Sequence, residues 1–333
     1  MSAHGFPQGF RRPWPDSRAE RTLGAASLIT CVGVVAMIAF VAVRAWPTFA
    51  HNGLAWLGPG GNTDTQLGNM VSTGSHPPAS AFHLRAWPIL YGTLLVTGIA
   101  MLLAVPTAVL SSIFIVEFAP KLLRRITIPV IRLLAAVPSV IYGLIGILVV
   151  APFVGQHIIS ASEKTSHAGI VELTGASVGV AGVLLAVMVT PIMVALISEA
   201  LAAVPESWRE GAAALGVHRM RATMAVSLRA IRPAIVAAAA LACARAFGEA
   251  IMIQMVSGSR AFAPNFGEGP IALLEPVRTF ASTIVDYAEG IGGAAALNSS
   301  LYAFAAVLLF SAVVLSVASY LIKLPLRRYQ VKG

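Results

Sequence analysis

Charge is what this sequence has least of. Only 11% of its 333 residues are Asp, Glu, Lys or Arg, and 57% are hydrophobic, whereas an ordinary soluble domain carries about 25% charged residues. With a mean hydropathy of +0.81 and its apolar residues gathered into long blocks, the chain has lipid as the solvent for most of its length. Cysteine is nearly absent. Cys31 and Cys243 are the only two and sit in different apolar blocks, which leaves no disulfide framework or cysteine-based metal site; both read as small core residues. No G-x-x-x-x-G-K-[ST] run occurs, and none of the four lysines follows a glycine loop, so this chain has no cradle for ATP phosphates. No paired carboxylates, nucleophile triad, metal-ligand cluster, internal repeat or low-complexity tract appears. The net charge of +9 does not indicate nucleic acid, because the basic residues fall between apolar blocks rather than on a soluble face.

What is present is a series of membrane-length runs. A span needs about 20 apolar residues, and six blocks qualify, at roughly 23–46, 88–116, 127–153, 176–201, 233–257 and 299–322. The basic residues set the orientation. Arg11, Arg12, Arg18, Arg21, Lys121, Arg124, Arg125, Arg132, Arg209, Arg219, Arg221, Arg229, Arg232, Lys323, Arg327, Arg328 and Lys332 fall on one side. Arg44, Arg85, Lys164, Arg260 and Arg278 fall on the other, and Arg245 lies within a span. Seventeen against five predicts an all-α integral membrane protein of six transmembrane helices with both termini cytoplasmic. A basic cytoplasmic tail over 1–22, a membrane domain over 23–322 and a cytoplasmic tail over 323–333 follow. The first block is too long for a signal-peptide core, and no A-x-A-like site follows it, so it reads as an uncleaved span. Residues 58–80 read as a polar outer loop.

Between spans four and five, residues 204–230 are too polar to cross and too alanine-rich to stay unfolded. Pro205 suits a helix start, Glu206 and Glu210 its positive end, and Gly216 the left-handed position after it. Two short helices around a turn at Gly216 are expected. Taken alone, such a basic amphipathic segment could simply lie on the membrane surface.

Within span five, "RAFGE" places Arg245 and Glu249 four residues apart, on one face of a continuous helix, where they could pair. Ions at bilayer depth are costly and are paired, turned inward or set against a wet cavity. The pair is either a packing device or a substrate element. In the second case Arg245 offers a permanent positive fork to a tetrahedral oxyanion, while Glu249 neutralises it or gates it. Pro106, Pro138 and Pro191 fall within predicted spans, where each removes a backbone donor and can kink its helix, and "VPSVIYG" gives Ser139 and Tyr142 weaker claims to the path; Thr93 and Thr190 have less. Gly143 and Gly146 read as close-packing positions.

These motifs resemble a known family. "EGAAALG" followed by "VSL" is similar to the E-A-A loop of ABC-importer permeases: Glu210, Ala212 and Gly216 match, with Ala213 inside the small-residue run. Gly211 stands for the usual first alanine, and Arg229 for the usual proline. "RAFGE" resembles the "RALGE" stretch of phosphate, sulfate and molybdate permeases, with Ala244 and Ala250 in place of glycine and threonine. "LLAAVPSVIYGLIG", "YGTLLVTGIAMLLAVPTAV" and "GPIALLEPVRTFASTI" are similar to the phosphate-specific importer, the last being closest to its PstC-type permease subunit. The resemblance covers about residues 20–328. It implies a type I ABC-importer permease fold, ATPase docking through Glu210, Ala212, Ala213 and Gly216, and a phosphate path past Arg245. The implied partners are a PstA-type permease, a PstB-type ATPase dimer carrying ATP and Mg, and a PstS-type extracytoplasmic binding protein. The chain itself would hold no cofactor. Rival readings are a sulfate or molybdate permease, and an ion-coupled secondary carrier using Glu249, for which no E-A-A loop is expected. An integral-membrane enzyme built on Arg245 lacks a catalytic constellation.

Overall fold

The computed structural model describes residues 17–74, 77–167, 169, 171–288 and 293–326. Arg11 and Arg12 of the N-terminal tail and Arg327, Arg328 and Lys332 of the C-terminal tail lie outside them. The described residues form helices and connecting segments, with no strand beyond one isolated bridge, Gly258 to Val277. In chain order the helices are α1 (Ser17–Asn52), α2 (Thr63–Val71), α3 (Trp87–Ile113), α4 (Lys121–Ala135), α5 (Ser139–Ile145), α6 (Ala151–His157), α7 (Ala161–His167) and α8 (Val178–Ala202). Then come α9 (Glu206–Ala214), α10 (Arg219–Ala222), α11 (Leu228–Ala230), α12 (Arg232–Phe247), α13 (Ile251–Val256), α14 (Phe280–Asp286) and α15 (Ala295–Leu326).

Among the described residues five stretches are long and apolar enough to span, and a sixth is reached if the bent pair 219–230 and 232–247 counts as one. The centre of the molecule is α3 against α8, with α12, α13 and α5 packed around them. Their contact surfaces use small residues: Ala100, Ala104 and Ala108 of α3 are fully buried, as are Ala238 and Ala242 of α12. Small side chains allow close backbone approach where no hydrophobic drive separates helix from lipid. A second core joins α1 and α15 to α2 and α14, centred on Trp56, which stacks on Phe280 at 5.9 Å.

Three expectations are corrected. The third span is residues 139–157 rather than 127–153. Pro138 has no N–H for a continuing helix and disfavours a helical residue before it; residues 121–135 therefore close off as α4, an amphipathic helix with exposed Leu122, Leu133 and Leu134. The supposed polar loop 58–80 contains α2, whose Leu67 and Met70 are buried in the second core. Asn62 caps it by accepting the Thr65 N–H at 3.2 Å. Cys31 is exposed rather than internal, because α1 packs along α15 and leaves its remaining surface uncovered; Cys243 is half-buried.

Candidate translocation path and coupling surface

The largest departure from expectation is at "RAFGE". Span five is not one helix. α12 ends at Phe247 with Gly248 as its cap, and α13 starts at Ile251. At 1.5 Å per residue the 16 residues of α12 cover about 24 Å, short of the roughly 30 Å hydrocarbon core. The two charges therefore part. Glu249 is only 9% exposed, and its Oε1 accepts the Met252 N–H at 3.2 Å, serving the first turn of α13. Arg245 sits in the last turn of α12, where a cation suits the negative helix end. It shares the uncovered face with Leu241, while Ala238, Ala242 and Ala246 face the bundle. Among the described residues no ion pair joins Arg245 to Glu249. The i,i+4 pairing required an unbroken helix, and the break at Gly248–Ala250 removes it.

α5 packs on α13 just beyond this break. A Cβ on Gly143 would meet Met255 Sδ at 2.7 Å, and one on Gly146 would fall under 3.0 Å from Val256 and Leu184. Both glycines are thus close-packing positions, as expected. Ser139 opens α5 and is partly exposed, while the Tyr142 hydroxyl donates to the Leu134 carbonyl at 3.3 Å. Thr93 is used elsewhere. Buried in α3, its hydroxyl donates to the Ile89 carbonyl (2.8 Å) and accepts the Phe280 N–H (3.0 Å), tying α3 to α14. Thr190 donates back to the Ala186 carbonyl at 2.7 Å.

The loop between spans four and five folds as expected into short helices around Gly216, at φ +75°. Pro205 directly precedes α9 rather than entering it. Glu210, Ala213, Leu215 and Gly216 are exposed and Ala212 is half-buried, so α9 presents a small-residue surface to the outside. The chain then bends by 67° between residues 219–230 and α12. Beneath α9 lies a residue that pattern reading missed. Glu117, 3% exposed, lies in the π-helical turn Phe114–Phe118 that follows α3. Arg209 Nη1 of α9 reaches its Oε1 at 2.9 Å, and Arg219 Nη2 donates to its main-chain carbonyl. The Arg219 guanidinium also lies 5.2 Å from the centre of the Phe118 ring. The available signal was a lone acid inside the apolar run "FIVEF".

The opposite end of α3 meets a second charged group. Arg278, 9% exposed, reaches Asp64 at 2.6 Å and the Ser259 carbonyl at 2.5 Å. Asp286 lies 3.2 Å from Arg278 Nε, close enough for an ion pair but not aligned as a hydrogen bond. Burial pushes the Asp286 carboxyl above its ordinary value, and Asp64 adds to the rise; Arg278 and the Gln254 amide, which donates to it at 2.6 Å, offset part of it. The Arg278 carbonyl also packs on Gly92, leaving no room there for a Cβ.

Comparison with known proteins gives a consistent set. Residues 100–329 match the family described as "Binding-protein-dependent transport system inner membrane component". The probable ABC transporter permease protein YqgH of Bacillus subtilis (strain 168) is 32% identical over 254 residues, covering 76% of this chain and 75% of that protein. The phosphate transport system permease protein PstC of Haemophilus influenzae is 28% identical across 85% of this chain and 86% of its own length. PstC 1 of Mycobacterium tuberculosis is 34% identical across 65% and 64%. A bacterial alginate ABC transporter, solved with an alginate pentasaccharide-bound periplasmic protein, aligns over 93% of this chain and 95% of its own. Its TM-score of 0.53 at 16% identity is a likeness of fold alone.

Proposed function

Because this chain belongs to the family of binding-protein-dependent transport system inner membrane components, a family of transport subunits rather than enzymes, we propose that it is the PstC-type permease of an ATP-driven importer of inorganic phosphate. The observation that carries the substrate is the extent of the PstC likeness, which reaches 85% of the chain in the Haemophilus protein. The geometry at Arg245 supports an oxyanion. A guanidinium near the middle of a bilayer costs about 2.5–3.5 kcal/mol on insertion scales, and Glu249 is turned away to the Met252 N–H. A passing tetrahedral anion offsets that cost and matches the planar fork of the side chain. Broken helices at membrane depth are tolerated where they border protein or a wet cavity, and commonly mark binding sites in transporters.

The uncovered face of α12 with Leu241 and Arg245 then meets a PstA-type permease, and phosphate passes between the two subunits. The exposed surface of α9 takes a PstB-type ATPase on the cytoplasmic side, with both termini of this chain on that side. ATP and Mg are bound by that partner, and a PstS-type binding protein delivers phosphate from outside. The test is labelled-phosphate uptake in cells lacking this gene, complemented by the wild-type chain or by Arg245→Gln, with excess unlabelled sulfate as competitor. Uptake that wild type restores, Arg245→Gln abolishes and sulfate does not reduce is the expected result. Equal uptake by both chains refutes the role of Arg245, and loss of uptake to sulfate refutes the substrate.

A further inference from the structure

α3 has two anchored ends. At one, Gly92 and Thr93 are locked to the backbone of Arg278 and Phe280. At the other, buried Glu117 is held by Arg209 of α9 and by Arg219 of α10. Between them α3 is an unbroken helix of 27 residues, about 40 Å long. It packs along α8, and the Ser112 hydroxyl adds a 3.3 Å hydrogen bond to the Val194 carbonyl. Two residues after Glu117 the backbone turns extended at Ala119, and Pro120 caps the start of α4. Glu117 thus sits at the junction of two helices that border α8, and it is gripped by the loop that carries the exposed α9 surface.

The Arg219 contact uses only the main-chain carbonyl, which any residue supplies. The carboxylate faces Arg209, whose side chain is 27% exposed against 2% for Glu117. Beside the pair is a cavity of about 360 Å³ lined by Glu206, Glu210, Ala213 and Val217 among others, so α9 is not packed solidly onto the bundle. Where apolar packing is incomplete, the pair still holds α9 to the bundle, because separating the charges leaves Glu117 buried without its partner.

Resting on the permease reading above, we propose that the Glu117–Arg209 pair is the mechanical link through which displacement of α9 is passed to α3 and α4. Both are positioning residues and touch no substrate. The link predicts uncoupling rather than simple loss. In the assembled transporter reconstituted with its binding protein, Glu117→Gln and Arg209→Gln keep ATP hydrolysis but move at least about fivefold less phosphate per ATP. Arg209→Lys, which retains the charge, stays near wild type.

A readout independent of the substrate separates this link from the phosphate assignment. A single cysteine is introduced at exposed Leu122 of α4, with Cys31 and Cys243 replaced by alanine. Its thiol-labelling rate is compared without nucleotide and with ATP plus vanadate. The nucleotide-dependent change in rate is present with the native pair and lost in Glu117→Gln. An unchanged labelling response in Glu117→Gln overturns the link whatever anion is carried, as does an equal loss in Arg209→Lys. If Glu117→Gln does not assemble, Arg209→Gln carries the same test; failure of both to assemble shows a purely structural pair and also overturns it. Normal labelling without phosphate uptake in the wild-type background counts against the phosphate reading alone.

Discussion

Replacing Gly92 by alanine sets two opposed effects against each other within one helix. Alanine in a helix interior gains about 0.5–1 kcal/mol over glycine. At Gly92, however, the new Cβ falls under 3.0 Å from the Arg278 carbonyl oxygen, with Val277 Cβ at 3.3 Å. The first obstacle is backbone and does not rotate away. Overpacking of this kind costs about 1–3 kcal/mol. Pushing α3 off the 277–280 segment also loosens the hydrogen bond from the Phe280 N–H to Thr93, worth about 1 kcal/mol. The steric side wins, and the net loss is about 1–3 kcal/mol. Gly98, on the same helix with open space around its Cβ position, isolates the propensity term and should gain up to about 1 kcal/mol as alanine. The assay is the heat-induced loss of the soluble, folded chain in detergent, comparing Gly92→Ala, Gly98→Ala and wild type. Gly92→Ala should melt several degrees lower and Gly98→Ala no lower than wild type. If Gly92→Ala is as stable as Gly98→Ala, α3 does not rest on the Arg278 backbone as described.

Three further outcomes follow from the same structure. Gly216 sits at φ +75° with nothing near its Cβ position, so Gly216→Ala carries only the left-handed backbone cost of about 1–2 kcal/mol; it should reduce copurification of an ATPase subunit, while Gly211→Ala, in open space within α9, should not. Arg132 and Glu199 pair at 2.8 Å, but both side chains are 62% exposed, and such pairs are worth about 0–1 kcal/mol; Arg132→Gln should leave the melting temperature and transport within error of wild type. Because burial raises the Asp286 carboxyl above 3.8, its favourable contribution is complete below that pH and is lost as the pH rises through the raised value. Asp286→Asn should therefore gain stability relative to wild type as the pH climbs out of the ordinary carboxylate range, and an unchanged difference across a melting series from acid to neutral pH refutes the shift.

The chain's scarcity of charge and its apolar blocks already determined that it is helical and membrane-embedded, since backbone groups in lipid must be satisfied within a helix or a closed barrel. Local chemistry likewise announced the turn at Gly216, where a left-handed φ suits glycine, and the close-packed Gly143 and Gly146. These readings rest on the size and backbone freedom of single residues. Tertiary structure decided what depends on distant partners. Glu117 and Arg209 are 92 positions apart and Asp64 and Arg278 are 214 apart; no periodicity connects them, and only the packing of α3, α9 and the segment before α14 brings them together. The break at Gly248–Ala250 belongs to the same class. Hydropathy marks the charges in "RAFGEAIMIQM" but is blind to where the backbone turns. Beyond that break α13 seats against α5, a fit between distant surfaces that no local pattern encodes.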